Sequence, residues 1–295
     1  VQVLEGFSQT KPLLRPPSHP VTLRNLLTHT SGFTYEVWNS EMAAWKDSTG
    51  NPGTGSGKLD SLRQPLSFDP GTRWEYGIGI DWAGQLLEAV SDVSLAQWMH
   101  TEIFDPLGMT NTAYGCRPDM QDRRAATHVL NEGTWKALVS SGKTRKTEFD
   151  SGGGGLFSTV TDYAKFMQML LRGGELAGQR LLSPQTVSLM SSNSMGNLRV
   201  SPVVSQNQKV SADFEFMPGT PKSWGLTFQI NEDDVNGGRQ AGSLSWAGLC
   251  NTHFWVDPNT GLGVLLMTQT LPFMIPQVAD LLKQLERTIY ETVTS

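Results

Sequence analysis

The chain has 295 residues, a mass of 32.4 kDa and a formal net charge of −5 from 23 basic and 28 acidic side chains. This acidic balance gives no support to a nucleic-acid or anionic-membrane partner, which would favour a basic patch. No apolar run reaches the roughly 18 residues of a membrane span. Two cysteines, Cys116 and Cys250, exclude a disulfide framework and a multi-cysteine metal site.

The N-terminal residues, VQVLEGFSQTKPLLRPP, lack an initiator methionine and the charged and apolar regions of a signal peptide. We therefore expect the chain to begin within a longer protein. The sequence leaves the compartment open, with a slight preference for the cytoplasm because no signal peptide is visible.

The first two thirds of the chain are predicted to be mostly helical. Four prolines between residues 11 and 20 indicate an extended connector, and residues 47–58 are typical of a loop. Capping residues and apolar spacing predict several helices. These are a short helix capped by Thr22 and ending before Gly32, one near 80–90, one from Ser94 to Pro106, one after Ser158 that ends at Gly173–Gly174, and one capped by Ser183.

The last third is predicted to form strands and a final helix. Turn residues separate apolar segments at 225–230, 244–249, 251–257 and 262–268, which we expect to pair as an antiparallel sheet. A helix from about Ile275 to Val293 should pack on that sheet. This order predicts a single α+β domain with a mostly helical lobe over 21–200 and a sheet with its helix over 201–295.

Several common catalytic motifs are missing from the sequence. There is no G-x-S-x-G elbow, no Walker A loop and no H-E-x-x-H pair. The run Gly152–Gly155 lacks the Lys-Ser/Thr of a phosphate-binding loop and is interpreted as a flexible turn. The five histidines are scattered without metal-ligand spacing, so we expect neither a metal nor another cofactor.

Five segments, in a fixed order, carry a resemblance to a known family. They are LRNLLTHTSGF, PGTRWEYGIGID, FDPLGMTNT, the stretch 154–184, and SWAGLCNTHFWVDP. Together they resemble the serine β-lactamase-like superfamily, and within it the class-C-like carboxylesterases called family VIII esterases. The resemblance implies a β-lactamase or penicillin-binding-protein transpeptidase-like fold. It also implies hydrolysis of short-chain carboxylic esters through an acyl-serine intermediate.

That chemistry uses three motifs. A serine nucleophile lies three residues before a lysine on a helix, which places both side chains on one helix face. The lysine amine can take or steer the hydroxyl proton. A tyrosine from a second motif is the other general base, and the resemblance assigns this role to Tyr76. The usual Asn after the tyrosine is missing, because the motif here is Tyr76-Gly77-Ile78. A tyrosine with a pKa near 10 needs cationic neighbours to act as a base near neutral pH.

The third motif lies on a strand and corresponds to Trp246-Ala247-Gly248. By resemblance, the backbone N–H of Leu249 is an oxyanion donor, and Ala247 and Gly248 allow the substrate to lie against the strand. Penicillin-cleaving relatives have a lysine at the first position, where it holds a substrate carboxylate. Trp246 offers apolar area instead, so the motif favours neutral esters over penicillins.

Two histidines lie in the matching segments. His29 is predicted to be structural, since this family does not need a histidine base. His253 lies on the strand that follows the Trp246 motif and is a candidate pocket residue.

The serine nucleophile has no convincing position in the sequence. Ser8-Gln9-Thr10-Lys11 runs into prolines that prevent a long helix, and Ser140-Ser141-Gly142-Lys143 lies in a polar segment. Ser191-Ser192-Asn193 resembles a Ser-x-Asn box without its flanking residues. We therefore expect the nucleophile to lie outside this chain, on an N-terminal segment or a separate chain that would be its partner.

The leading hypothesis is thus a serine carboxylesterase that acts on small-molecule esters, although this chain alone could be inactive. Two alternatives stay open. One is a non-catalytic protein with a penicillin-recognition-like cleft, and the other is a weak β-lactam hydrolase, which Trp246 disfavours.

Overall fold

Side-chain oxygens cap most of the helices at their N-termini. The structure, a computed structural model, describes residues 1–138 and 146–293. Thr22, Ser94 and Ser183 each accept a backbone N–H three residues later, which confirms the caps predicted from the sequence. The helices are α1 Leu23–Leu27, α2 Ser40–Thr49, α3 Gly79–Ser91, α4 Leu95–Met99, α5 Val160–Leu171, α6 Pro184–Met190 and α7 Pro276–Val293.

Strands occur in small hairpins and in one larger sheet. They are β1 Val3–Ser8, β2 Lys11–Arg15, β3 Ala113–Tyr114, β4 His128–Asn131, β5 Thr134–Ala137, β6 Leu156–Phe157, β7 Glu175–Leu176, β8 Gln179–Arg180, β9 Lys222–Trp224, β10 Gln229–Asn231, β11 Leu244–Gly248, β12 Thr252–Asp257, β13 Leu262–Met267 and β14 Thr270–Leu271. The larger sheet has the order β13-β12-β11-β10-β9, and its neighbouring strands are antiparallel.

The antiparallel sheet agrees with the sequence prediction except at 225–230. That segment is not a single strand, because β9 ends at Trp224 and β10 begins at Gln229. The N–H of Gly225 donates to the Phe228 carbonyl at 2.8 Å, which closes a turn between the two strands. A Cβ at Gly225 would lie 2.1 Å from the Met190 carbonyl oxygen, so the chain bends where it meets the end of α6.

Helix α7 packs on the sheet through buried polar groups. Arg239 and Glu286 form a two-pronged ion pair, with Nε–Oε1 and Nη2–Oε2 distances of 2.7 and 2.8 Å. Tyr290 donates its hydroxyl proton to Asp257 on β12 at 2.8 Å. These contacts fix the predicted position of the terminal helix on the sheet.

The main hydrophobic core lies between α5 and the sheet. Met167 and Leu170 of α5 contact the buried side chains Ile230, Leu244 and Val256 of three strands. A second cluster surrounds α1 and the start of α3. Tyr76 and Trp246 pack against a further cluster formed by Trp74, Met195 and Trp224.

Two elements near the N-terminus depart from the predictions. Residues 11–15 are not an extended connector alone, because β2 pairs with β1 in a hairpin. Helix α2 was not predicted and includes the first residues of the expected loop 47–58. Its start is fixed by Asn39, whose side chain accepts the Met42 N–H, and its end by left-handed Gly50.

Within the described residues, no helix is both long and apolar enough to cross a membrane. In the same part of the chain, no group of three or more His, Cys, Asp or Glu side chains could hold a metal ion.

Candidate active site

Tyr76, just before α3, lies against strand β11 of the larger sheet. The ring centroids of Tyr76 and Trp246 are 4.7 Å apart. The structure therefore brings together the second and third motifs, which the resemblance predicted from distant parts of the sequence. Trp246 also packs edge-on against Trp224 of β9 at 4.6 Å.

The turn that carries Tyr76 is held by close backbone contacts. A Cβ at Gly77 would lie 2.1 Å from the Phe33 carbonyl oxygen and 2.4 Å from the Thr34 Cα, so only glycine fits there. The Gly77 N–H donates to His29 Nδ1 at 3.3 Å, and the Glu75 N–H donates to the His29 carbonyl at 3.0 Å. The turn after α1 thus positions Tyr76.

His29 is a structural residue in this arrangement, as predicted. It is 3% exposed and packs against Tyr76 and Trp224, with centroid distances of 4.6 and 4.9 Å. Burial lowers the pKa of His29 to about 3, although its contact with the Gly77 backbone opposes this shift. The imidazole is therefore neutral near physiological pH and adds no positive charge beside Tyr76.

Other aromatic rings complete the surroundings of Tyr76. Tyr35 and Trp38 lie 5.2 and 5.4 Å from it, measured between ring centroids. Burial among these rings raises the pKa of Tyr76 to about 12, and polar contacts with Trp246 and Tyr35 oppose the shift only in part. The charged side chain that acts on this pKa is Asp81, an anion, which raises it further. In this environment Tyr76 holds its proton at neutral pH.

The buried side chain of Lys222 lies near the cleft, but its ammonium group is already hydrogen-bonded to other groups of the protein. Lys222 of β9 lines the same small cavity as Trp246 and is 3% exposed. Its Nζ donates to the Glu215 carboxylate at 2.9 Å and to the Thr220 carbonyl at 2.8 Å. Its charge is therefore balanced within the protein, and the face of the cleft formed by Trp246 is apolar.

Strand β11 carries the remaining residues of the third motif. Ala247 pairs with His253, and Gly248 pairs with Thr252, across β11 and β12. A Cβ at Gly248 would lie 2.4 Å from the Thr252 hydroxyl oxygen, so a larger residue would push this side chain away. Leu249 follows the end of the strand and is 42% exposed.

His253 lies in a separate aromatic cluster on the sheet. Its ring stacks on Phe273 at 5.8 Å and meets Phe216 at 6.1 Å, while Phe216 contacts Trp246 at 5.5 Å. Neither ring nitrogen has a hydrogen-bond partner within the described residues. Burial lowers its pKa to about 4. The structure places this candidate one ring away from Trp246, without a direct ring contact to Tyr76.

A carboxylate missed by sequence reasoning lies behind Tyr76. Asp81 of α3 is 4% exposed and accepts the hydroxyl proton of Tyr35 at 3.3 Å. Ser151 and the Gly153 N–H also donate to it. Asp81 lies inside the PGTRWEYGIGID segment, and an acidic residue on an apolar helix face was the signal that could have revealed it.

The glycine run 152–155 has a defined packing role beside this carboxylate. A Cβ at Gly152 would lie 2.2 Å from the Ile80 carbonyl oxygen, and one at Gly153 would lie 2.7 Å from the Tyr35 hydroxyl. The run therefore allows the chain to approach α3 closely, which the interpretation as a flexible turn did not include.

The serine strings do not form a helical nucleophile motif in the described residues. Ser8 and Lys11 face each other across the β1–β2 hairpin, so they do not share a helix face. The string Ser140–Lys143 falls on residues outside those the structure describes. Ser191-Ser192-Asn193 follows α6, where the Asn193 side chain donates to the Gly196 carbonyl at 2.9 Å.

Comparison with known proteins agrees with this geometry. The Beta-lactamase family matches residues 8–286 of the chain. The chain belongs to the β-lactamase family. This confirms the resemblance to the serine β-lactamase-like superfamily and the fold predicted from it.

Members of the β-lactamase family with described activities match nearly the whole chain. Lovastatin esterase of Penicillium rubens is 31% identical, and the match covers 98% of this chain and 74% of the relative. Monacolin J acid methylbutanoyltransferase of Aspergillus terreus is 32% identical, with 98% and 71% covered. The chain thus spans about three quarters of these relatives, which are hydrolase and acyltransferase enzymes.

Solved structures show the same fold. The LovD6 mutant of simvastatin synthase (LovD) from Aspergillus terreus superposes with a TM-score of 0.82 at 31% identity, covering 99% of this chain and 73% of that one. EstCE1, a hydrolase with promiscuous acyltransferase activity, gives a TM-score of 0.70 at 20% identity, covering 94% and 73%. This second likeness supports the fold alone.

Proposed function

We propose that the protein cleaves or transfers acyl groups of small, neutral esters through an acyl-serine intermediate. The observation that carries this proposal is the 4.7 Å contact between Tyr76 and Trp246. It supports a cleft in which a proton-transferring hydroxyl faces an apolar strand. The names of the relatives, an esterase and a methylbutanoyltransferase, support both water and an alcohol as acyl acceptors.

We propose one role for each predicted site residue. Tyr76 exchanges a proton with the attacking or leaving oxygen. The Leu249 N–H donates to the oxyanion, and Ala247 and Gly248 leave room for the substrate along β11. Trp246 contacts the apolar part of the ester. His253 lies near enough to Phe216 and Trp246 to shape the far end of this pocket.

The nucleophile, in this proposal, is a serine of a Ser-x-x-Lys segment outside the 295 residues. The position of Ser8 and Lys11 supports this, because both residues are exposed at the tip of the β1–β2 hairpin and neither lies on a helix. The neutral His29 and the occupied Lys222 support it as well, because the cation that would lower the pKa of Tyr76 must then come from elsewhere.

Probe labelling and substrate preference test the proposal together. The 295-residue chain should neither hydrolyse p-nitrophenyl butyrate nor react with a fluorophosphonate probe. A form extended by a Ser-x-x-Lys helix should do both, and the Tyr76→Phe variant of that form should lose most of its turnover. It should also prefer p-nitrophenyl butyrate to benzylpenicillin in kcat/KM.

The possible results separate the alternatives. Stoichiometric labelling of the 295-residue chain at Ser8 or Ser140 would place the nucleophile inside it. An extended form that binds esters without turnover would favour a binding protein. A higher kcat/KM for benzylpenicillin would overturn the role given to Trp246.

A further inference from the structure

Five aromatic side chains beside the cleft form a closed circuit of ring contacts. Each ring meets the next at a centroid distance between 4.7 and 6.1 Å, in the order Tyr76, Trp246, Phe216, Phe214, Trp38 and back to Tyr76. Phe214 is buried, whereas the other four rings are half-buried. The members come from four separate parts of the sequence, so no single motif contains this circuit.

Phe216 is the member of the circuit that the sequence motifs did not point to and that contacts strand β11. Its ring lies 5.5 Å from Trp246 and 6.1 Å from His253, measured between centroids. His253 pairs with Ala247 across β11 and β12. Phe216 is thus adjacent to the part of β11 along which we propose the substrate to lie.

The backbone on both sides of Phe216 is held by the buried ammonium group of Lys222. Its Nζ donates to the Glu215 carboxylate at 2.9 Å and to the Met217 carbonyl at 3.3 Å. A third bond, to the Thr220 carbonyl at 2.8 Å, fixes the return of the chain to β9. Because Lys222 is 3% exposed, water competes little for these bonds. Phe216 is therefore a fixed wall of the cleft.

Little free space lies behind this wall. The cavity that Phe216 and Trp246 line together with Phe214 and Trp74 has a volume of about 10 Å³, close to the volume that one water molecule needs. Phe214 and Trp74 are themselves buried. A longer apolar group therefore finds room at this point only if the side chain at position 216 becomes smaller.

We propose that Phe216 is a specificity-determining residue that limits the length of the acyl chain lying against Trp246. This inference rests on the proposed acyl-transfer function. The alcohol part of an ester must leave and be replaced by an acceptor, so it needs an open side of the cleft. The acyl part stays bound through the acyl-serine stage, and a fixed aromatic wall suits this part. The site therefore selects short acyl chains.

The size of residue 216 should change the acyl preference in both directions. In the nucleophile-bearing form, Phe216→Ala should raise the kcat/KM ratio of p-nitrophenyl octanoate to p-nitrophenyl butyrate by about 10-fold or more. Phe216→Trp should lower this ratio. Phe216→Leu should give an intermediate value, and it tests the same point if the alanine variant does not fold.

Phe7→Ala is the matched control, because it removes a half-buried ring that packs in the N-terminal hairpin cluster. It should leave the octanoate to butyrate ratio unchanged. If Phe216 only supported the packing of Trp246, the smaller and the larger substitutions would both reduce turnover of both esters. The ratio would then not move in opposite directions, and the proposal would be overturned.

A second pair of substrates distinguishes the acyl chain from the alcohol. Ethyl butyrate and hexyl butyrate share their acyl chain and differ only in the alcohol. Their kcat/KM ratio should be the same in the wild type and in Phe216→Ala. A change in this ratio, with the octanoate to butyrate ratio unchanged, would place the alcohol against Phe216 and overturn the proposal.

Ligand binding to the 295-residue chain tests the wall without turnover. The probes are 2-pentanone and 2-nonanone, which are uncharged, cannot be hydrolysed and differ in chain length. Binding is followed through the indole N–H NMR signal of Trp246, which Trp246→Phe identifies among the nine tryptophans. The affinity for 2-nonanone relative to 2-pentanone should rise in Phe216→Ala, fall in Phe216→Trp and stay unchanged in Phe7→Ala. The same relative affinity in all of these variants would overturn the proposal.

The two proposals fail differently. An extended form that is inactive on every ester, with ketone affinities that follow the size of residue 216, would count against the proposed function and support the wall at Phe216. Turnover with an acyl preference that does not respond to residue 216 would support the proposed function and overturn the role of Phe216.

Discussion

His29 shows how a single buried side chain fixes the site and makes the fold sensitive to acid. Its backbone adopts a left-handed conformation with φ of 55°, and its ring accepts the Gly77 N–H beside Tyr76. Burial keeps the ring neutral down to a pKa of about 3. An unfolded histidine takes up a proton near pH 6.5, so the unfolded state binds more protons between these two values.

The free energy of unfolding should therefore fall as the pH drops below about 6.5. Each pKa unit corresponds to about 1.4 kcal/mol, so His29 should cost about 2–3 kcal/mol by about pH 4.5. His253, whose pKa is about 4, acts in the same direction. Urea unfolding at neutral and acidic pH measures the loss. His29→Asn introduces a residue that tolerates positive φ. It should remove the part of the acid-induced loss in unfolding free energy that is due to His29.

The exposed residue His19 provides the control for this prediction. His19→Asn should leave the acid-dependent loss unchanged. An equal loss in the wild type and His29→Asn would contradict the neutral, buried state of His29.

Gly77 is the second residue on which the Tyr76 turn depends. Alanine there would place a methyl group 2.1 Å from the Phe33 carbonyl oxygen, where backbone must move to relieve the overlap. We expect Gly77→Ala to destabilise the fold by about 3 kcal/mol or more, measured by urea unfolding. Gly55→Ala, whose added Cβ meets no atom within 4 Å, should change stability by less than about 1 kcal/mol. If Gly77→Ala and Gly55→Ala were equally stable, the backbone of residues 33–34 would be able to move away from the added methyl group.

Elements with strong local signals were predictable, and elements that depend on distant contacts were not. Apolar spacing located α3 and α5, since this signal lies within the helix itself. Helix α2 carries a weaker apolar pattern, and its Asn39 cap, its end at Gly50 and its packing against the N-terminal hairpin define it. A hairpin at the N-terminus was hidden by the prolines near β2.

The candidate site divides in the same way. Tyr76 and the Trp246 motif were predictable because each lies in a segment that resembles the family. The contact between Tyr35 and Asp81 spans 46 positions and depends on how α3 meets the turn after α1. No sequence pattern in either segment indicates that Tyr35 and Asp81 are in contact.

A buried ion pair joins α7 to the segment between β10 and β11, which gives a prediction at the scale of elements. Arg239 and Glu286 are 5% and 10% exposed. Glu286→Ala would leave the Arg239 charge buried without its partner, and we expect a loss of about 3–5 kcal/mol in the free energy of unfolding. The exposed pair of Arg287 and Glu291 lies on the same helix.

Arg287→Ala is therefore the matched control and should cost at most about 1 kcal/mol in the same urea titration. If the Glu286 and Arg287 variants were equally stable, the contact between α7 and the sheet would not depend on the buried pair.

At the scale of the whole molecule, strand β13 forms an edge of the larger sheet. Strand β13 pairs with β12 on one side, and in the described residues no strand pairs with its other side. Its six residues, LGVLLM, carry no charge, and five of them are half-buried. Unpaired N–H and C=O groups along an apolar edge favour pairing with another chain, and natural edge strands commonly use lysine to prevent it.

We therefore expect the 295-residue chain to self-associate as its concentration rises, with sedimentation velocity as the measurement. Val264→Lys should shift the equilibrium toward monomer, because a charge on the edge strand opposes pairing in the assembly and can still reach solvent in the monomer. Leu189→Lys replaces an exposed leucine on α6 and should leave association unchanged. If Leu189→Lys disrupted association and Val264→Lys did not, the contact would lie on the helical lobe, away from the sheet edge.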